Sequence, residues 1–294
     1  MSFRNATIAC AALNMVACLV APGVRAQDEA LSSADTVSLR PTPDWVENRE
    51  PLAVPADAQG ALFVRREDTV AHLTQEGSRS YQSQLIRMLQ PQALQAGNIA
   101  ITWNPAAGPA HIHSLRIHRG SRIIDVLETS QFEILRREDQ LEQAMLTGQL
   151  TASLRVPDLR VGDDLEIAYS IPLHDPTLKD ISHGMLFLGE TPPAGRFRLQ
   201  LSWAEGQEPQ IKMTDELSAI AQKKDRRLTV DIDNPSIISA PRDAPPRYSW
   251  ARVLEFSDFE NWRAVSRRFH PLFEAASTLS ADSPLREEAR FIAD

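Results

Sequence analysis

Short apolar runs recur between turn residues over residues 61–256, and this rhythm constrains the fold more than any other feature of the sequence. In the clearest run, residues 165–171, Leu, Ile, Tyr and Ile alternate with Glu, Ala and Ser. Such alternation gives a strand one buried and one solvated face, and repeated short runs are typical of an all-β domain. They predict strands at residues 62–64, 69–74, 81–89, 99–103, 112–118, 122–127, 165–171, 196–203, 228–232 and 253–256.

The turn residues agree with this interpretation. Gly77 and Gly120 lie between neighbouring predicted strands, where hairpin turns need them. Residues 138–150 are the main exception, because their pattern fits a short helix or a loop excursion that ends near Gly148. We therefore predict a β-sandwich-like domain of antiparallel strands over residues 61–256.

The pattern becomes helical in residues 257–294. Ser257 and Glu260 have the spacing of a capping box, and they precede an apolar stripe at helical spacing that consists of Phe259, Trp262, Val265 and Phe269. We expect this helix to end at Pro271 and a second helix to start at Ser283-Pro284. The second helix has few residues to pack on, so we expect the native product to continue past Asp294.

The first 26 residues have the pattern of an export signal. Arg4 lies in a short basic head, an apolar stretch follows over residues 6–21, and small or apolar residues precede a predicted cleavage after Ala26. The apolar stretch is shorter than the ~20 residues that span a bilayer, so a periplasmic or secreted location is expected. Lipidation of Cys18 is the alternative, since the residues before it resemble part of a lipobox.

Residues 27–60 are polar and rich in proline, which is typical of an extended arm. Trp45 is the exception within it. A bare indole in a free linker would expose a large apolar area, so we expect the arm to dock on the β domain.

Charge and cysteine content exclude several function classes. Cys10 and Cys18 both lie in the predicted signal, so the mature chain has no thiol nucleophile and no thiolate metal ligand. Loss of Arg4 and Arg25 changes the formal net charge from -8 to -10. An acidic balance, with most paired basic residues next to Asp or Glu, argues against nucleic-acid binding.

The histidines form the sharpest candidate site in a sequence that lacks the familiar catalytic and phosphate-binding signatures. His111 and His113 would share one strand face, as a zinc site requires, but His118 falls on the other face unless a bulge intervenes. The alternative is a polar pair on a solvated face. We favour it because no Asp or Glu adjoins the pair.

Three further groups each have a functional and a structural interpretation. Gly162, Asp163 and Asp164 fit a turn better than a carboxylate pair, although Asp163 and Glu166 could serve a glycoside hydrolase if they share a cleft. Residues 231–234 imitate the start of a calcium loop but lack its glycine and distant glutamate, so they predict a strand end and turn. The last group is aromatic and consists of Trp250, Phe256, Phe259 and Trp262. Its position between a sheet and a helix favours core packing over a ligand-stacking surface.

Residues 61–269 resemble the domain of unknown function that precedes transglutaminase-like domains in exported bacterial proteins. The resemblance rests on three stretches: residues 117–125 (IHRGSRIID), 159–169 (LRVGDDLEIAY) and 256–262 (FSDFENW). It implies a β-sandwich beside a cysteine-protease-like core with a Cys, His and Asp arrangement. The mature chain has no cysteine for such a core, so the family's catalytic residues correspond to nothing here.

Together these observations predict an exported, non-enzymatic β-sandwich module. We expect no catalytic, cofactor-binding or metal residues, no cofactor and no stable membrane span. The expected partner is an adjoining transglutaminase-like domain or a periplasmic protein. The alternative is an N-terminal portion of a transglutaminase-like cysteine peptidase or amidase whose catalytic core lies beyond the chain end.

Overall fold

The computed structural model describes residues 35–75, 77–136, 147–178, 181–238, 243, 245 and 252–293, all of which belong to the unit Ser32–Asp294. The predicted export signal lies outside these residues, as do residues 138–146 of the helix or loop predicted over residues 138–150, whereas Leu150 is in a strand. The strands of the described part are β1 Val37–Leu39, β2 Leu62–Leu73, β3 Arg79–Met88, β4 Asn98–Trp103, β5 Ala110–Arg119, β6 Arg122–Asp125, β7 Glu133–Arg136, β8 Leu150–Arg155, β9 Asp164–Pro172, β10 His183–Leu188, β11 Gly195–Trp203, β12 Gln210–Met213, β13 Gln222–Lys224, β14 Arg227–Asp233 and β15 Arg252–Ser257. The helices are α1 Asp215–Ser218, α2 Trp262–Ser277 and α3 Leu285–Ala293, with 3-10 turns at Pro91–Gly97, Pro105–Ala107 and Val126–Glu128.

A nine-stranded sheet forms the centre of the fold. Its strand order is β1-β5-β9-β3-β2-β11-β14-β13, and β6 pairs with β5 beside this path. The pairs β1–β5 and β2–β11 are parallel, whereas the other pairs are antiparallel. The predicted all-β class is confirmed, and the strands are antiparallel except in these two pairs. The long connection between β2 and β11 leaves the direction of the returning strand free, as parallel pairing requires.

Two three-stranded sheets pack on the same face of the large sheet. The sheet β4-β8-β7 buries Ile101 and Leu154 against Leu115 and Leu165 of the large sheet. The sheet β10-β15-β12 closes a second cluster that contains Leu254 and the large-sheet residues around Leu201. The molecule is thus all-β and layered, with two apolar cores side by side.

The predicted strands match the structure best where apolar residues alternate. The predicted strands at residues 62–64 and 69–74 belong to one long strand, β2, which bends at a register shift between Val64 and Arg66. The short strands β1, β7, β8, β10, β12 and β13 were not predicted. Most of them cover an apolar core with only a few residues, so their local pattern is weak.

Two glycines have conformations that other residues adopt with strain. Gly162 has a φ of +91°, which confirms the predicted turn before β9. Gly195 has a φ of +150°, and a Cβ built there would lie 2.0 Å from the carbonyl oxygen of Val64. A side chain at position 195 would therefore push β11 away from β2.

The helical segment differs from the prediction in its boundaries. Ser257 still belongs to β15, and its hydroxyl accepts a hydrogen bond from the Phe259 amide. The N-cap of α2 is Asn261, whose side-chain oxygen accepts from the Ala264 amide at 3.0 Å. The predicted capping box was therefore wrong, because strand pairing keeps the backbone extended at Ser257.

Pro271 lies inside α2 and does not end it. Proline removes one amide donor from a helix, and the carbonyl at Arg267 loses its usual partner. Both residues are exposed, so water can hydrate that carbonyl. The second helix, α3, begins at Leu285, and the Ser283 hydroxyl accepts a hydrogen bond from its amide, in agreement with the predicted start.

Candidate functional site

The large sheet has a second face, opposite the two small sheets, which we call the covered face. It carries Val70, Tyr81 and Ala168, and the arm lays Trp45 and Val46 on these residues. The prediction that the arm docks through Trp45 is confirmed. The indole stacks on the His72 ring at 4.8 Å and meets the Tyr81 ring edge-on at 6.1 Å.

Polar contacts hold the rest of the arm in place. The Leu52 amide donates to the Arg65 carbonyl at 2.8 Å, and the Arg65 side chain donates back to the Leu52 carbonyl. Arg49 is nearly buried and forms ion pairs with Asp68 and Asp231, at 3.6 and 3.3 Å. The arm is therefore an integral part of the covered face.

The three candidate histidines all lie on the covered face because β5 contains a bulge. The register with β9 shifts between Ile112 and Ser114, and this shift moves His118 to the face that also carries His111. The partners of these two histidines on β9 are Asp164 and Ser170, six residues apart, or about 20 Å along a strand. The histidines therefore do not converge on one metal ion.

His113 and His118 have local partners instead. His113 contacts the Arg40 carbonyl through Nδ1 and the Ser170 hydroxyl through Nε2, both at 3.0 Å. His118 Nε2 lies 2.6 Å from a carboxylate oxygen of Glu166. Burial lowers the pKa of His111 to about 4, with the nearby Arg79 as a second cause. Burial also lowers the pKa of His72 and of His113, so these rings favour the neutral form.

The acidic turn before β9 is held by arginines. Arg119 donates two hydrogen bonds of 2.8 Å to the Asp163 carboxylate and holds its pKa below the usual range. Asp164 accepts from Arg87 and from Arg65 on the covered face. The carboxylates thus point to different partners, as adjacent strand residues do.

The same geometry argues against a glycoside hydrolase site. His118 and Glu166 are paired on the covered face. Arg119 is the next residue of β5, so its side chain and that of its partner Asp163 belong to the opposite side of the sheet. A carboxylate pair for glycoside chemistry must flank one cleft. Asp163 and Glu166 do not meet this condition.

Residues 231–234 end β14, as the sequence predicted. Arg198 and Arg196 form ion pairs with Asp231 and Asp233, and Asn234 has a φ of +48° in the following turn. Throughout the described residues, no group of three or more His, Cys, Asp or Glu side chains could hold a metal ion. The same residues include no helix that is both long and apolar enough to cross a membrane.

The candidate aromatic cluster divides into a core part and an exposed part. Phe256 is buried and Phe259 packs against Phe269, but the Trp262 side chain is 87% exposed. The interpretation of Trp262 as a core residue was therefore wrong. Trp262 begins α2, a helix without buried residues, and Trp250 lies outside the described residues.

A polar row on the apolar face lies between the two small sheets. Glu67 accepts a hydrogen bond of 3.0 Å from Gln84, and Tyr169 donates to Gln82, which lies two residues from Gln84 on the same face. Burial raises the pKa of Glu67 above its usual range and that of Tyr169 to about 12. The sequence reasoning missed this row because these residues belong to the alternating face that is otherwise apolar.

The covered face also contains a cavity of about 520 Å³ at the β11–β14–β13 edge. Its walls come from Trp45 and Glu47 of the arm, and its floor includes His72, Arg198 and Thr229. The basic pairs at residues 223–227 are visible in the sequence, but their acidic neighbours predict only a solvated surface. The approach of the arm, which no local pattern specifies, turns that surface into a pocket.

These features define an all-β protein with a mixed central sheet, two small sheets on one face and a docked arm on the other. The chain belongs to the family of the domain of unknown function DUF3857, whose description notes a solved structure and whose model matches residues 75–239. This match covers more than half of the chain and runs from β3 to β14, whereas the arm, β2 and β15 lie outside it. No curated protein matches the chain.

The fold is similar to that of a solved structure described as "a putative protease" from Parabacteroides distasonis ATCC 8503. The TM-score is 0.62 at 15% sequence identity, over 79% of this chain and 45% of that chain. At this identity the similarity shows a shared fold. This chain spans less than half the length of the solved protein.

Proposed function

We propose that this chain is an exported, non-enzymatic accessory module that docks against a transglutaminase-like catalytic domain through α2 and α3. The observation that carries the proposal is the exposure of large apolar side chains on these helices. Trp262, Phe273 and Phe291 are 87%, 71% and 85% exposed. Exposed apolar patches of this kind mark interaction surfaces.

The charge pattern supports a partner-binding role over catalysis. Most of the carboxylates and histidines that the sequence singled out are engaged by arginines, by hydroxyls or by each other, as at Asp163 and His118. Groups held in this way stabilise a rigid surface and are poorly placed to exchange protons with a substrate. A cysteine nucleophile is also missing from the sequence after Ala26.

The length comparison supports the choice of partner. The similar solved protein is more than twice as long as the region that this chain covers, and its description as a protease fits a catalytic domain in the remainder. The second candidate follows from the same observation. In it, the chain is the leading part of a transglutaminase-like cysteine peptidase or amidase, with the catalytic core in the same polypeptide.

The experiment reads the coding sequence downstream of the Asp294 codon and measures the mass of the protein that the native host exports. A larger exported protein with an in-frame Cys, His and Asp core supports the second candidate and identifies the domain that docks. A mass that corresponds to residues 27–294 contradicts it and also supports cleavage after Ala26.

Docking itself is tested with a transglutaminase-like domain from the same locus, produced separately. We expect Trp262→Asp to weaken its binding by at least about tenfold, because a buried tryptophan often dominates an interface. Ile123→Asp is the matched control, since Ile123 is also exposed but lies on β6. Equal binding by wild type and Trp262→Asp would refute docking through this surface.

A further inference from the structure

We propose that the cavity between the arm and the β11–β14–β13 edge binds a small hydroxylated organic anion, with the oxyanion recognised by the β13–β14 hairpin. The cavity, at about 520 Å³, has the size of a small-ligand site. It lies on the covered face, so the inference does not depend on the docking surface of α2 and α3.

The charge of the lining favours an anion. Arg198, Lys224, Arg226 and Arg227 line the cavity together with three carboxylates, in a protein whose formal net charge is -8. Two of the carboxylates are already used, because Asp231 pairs with Arg198 and Glu47 with Arg227. The third, Asp225, lies between Lys224 and Arg226 in the sequence, and among the described residues none of these three forms an ion pair. The hairpin therefore offers a ligand two unpaired cations against one carboxylate.

Arg227 also lines the cavity, and its guanidinium is already engaged by Glu47, so recognition of a ligand falls to the neighbouring cations of the hairpin. Because guanidinium groups suit carboxylate and phosphate geometry, an oxyanion is the fitting ligand group.

The rest of the lining fits a hydroxylated body. Thr229 and Gln222 present a hydroxyl and an amide, and Trp45 supplies an apolar wall whose orientation is set by its stack on His72. His72 is itself held by a 2.9 Å contact between its Nδ1 and the Ser202 hydroxyl. A ligand that combines hydroxyl groups with one negative group would use each of these surfaces.

The test uses three probes that share a sugar ring: glucuronate, glucose 6-phosphate and glucose. Binding to the protein with its docked arm is measured by titration calorimetry and by ligand-observed NMR. We expect saturable binding of glucuronate, glucose 6-phosphate or both, at least about tenfold tighter than that of glucose. Binding of glucuronate alone would assign a carboxylate ligand, and binding of glucose 6-phosphate alone would assign a phosphate ligand.

The variant Lys224→Gln/Arg226→Gln removes both available charges from an exposed hairpin without affecting the core. We expect this double variant to bind the anion at least about tenfold more weakly than wild type does. We also expect added salt to weaken binding of the anion by wild type. Arg122→Gln is the matched control, since Arg122 lies in the exposed β5–β6 hairpin. Circular dichroism of both variants checks that the fold is unchanged.

Three outcomes would overturn the proposal. They are equal binding of glucose and the two anions, no saturable binding of any probe up to about 10 mM, and anion binding that the double variant leaves unchanged.

Discussion

The two faces of the large sheet are closed in different ways. The apolar face is buried by two small sheets and contains residues such as Leu201 and Leu115, which are fully buried. The covered face is closed by the arm, and its interior carries polar groups such as Asp68, Ser170 and Ser202. One sheet thus separates a region stabilised by burial of apolar area from a region stabilised by matched polar contacts.

The two faces therefore contribute differently to stability and to binding specificity. Apolar burial contributes free energy without direction, at about 25 cal/mol per Å², so it supports the fold. Polar groups gain little net free energy from pairing, but their positions are specific. We therefore expect substitutions on the apolar face to change stability most, and substitutions on the covered face to change ligand binding and pH response.

The largest effect is expected on the apolar face. Leu201→Ala should lower the free energy of unfolding by about 3 kcal/mol, because it leaves a cavity at a fully buried site. Chemical denaturation with urea measures this change. Ile123→Ala, at an exposed position, is the control and should change stability by less than about 0.5 kcal/mol. Similar losses for both variants would contradict the assignment of the core.

A smaller effect is expected where the arm meets the covered face. Trp45→Ala should cost about 2 kcal/mol, because it removes the stack on His72 and the edge contact with Tyr81. It should also increase hydrogen exchange in residues 40–52. Trp262→Ala is a matched control, since the Trp262 side chain is mostly exposed. An unchanged exchange rate after Trp45→Ala would show that the indole does not anchor the arm.

The smallest effect concerns pH. The pKa of His111 is lowered to about 4 in the folded state, whereas an unfolded histidine titrates near 6.5. As pH falls from about 6.5 to about 4, the unfolded state takes up the proton first, so stability decreases. The full shift corresponds to about 3 kcal/mol. His111 is only half-buried, and solvent screening reduces the expected loss to on the order of 1 kcal/mol.

Comparison of wild type with His111→Gln isolates this contribution. The comparison is needed because burial raises the pKa of Glu67 and of Asp68, and both carboxyls stabilise the fold as pH falls through their raised values. Between pH 7 and pH 5 the urea midpoint of wild type should fall relative to that of the variant, because only wild type carries the destabilising contribution of His111. An identical pH dependence would rule out His111 as the source.

The sequence predicted the elements that local chemistry specifies. Alternation identified β9, and Gly162 predicted the positive φ before it. It failed where tertiary contacts overrule local signals. Ser257 has the spacing of a helix cap but pairs as a strand, and Pro271 is tolerated because the helix around it is exposed.

The candidate site was predictable only in part. The histidines were identified, and a bulge was recognised as the condition that would put His118 on the face of His111. The sequence could not show that these two residues lie far apart along the strand pair. The cavity between Trp45 and the basic hairpin was not predicted, because its two walls are more than 150 residues apart in the chain.

The sequence by itself determined the all-β class, the docked arm and the lack of a cysteine nucleophile after Ala26, because each follows from residue type and local period. The tertiary structure alone decided the parallel pairing of β2 and β11, the exposure of Trp262 and the cavity on the covered face. These features depend on which distant segments meet. Their approach is determined by the sum of many weak contacts, and no local pattern records that sum.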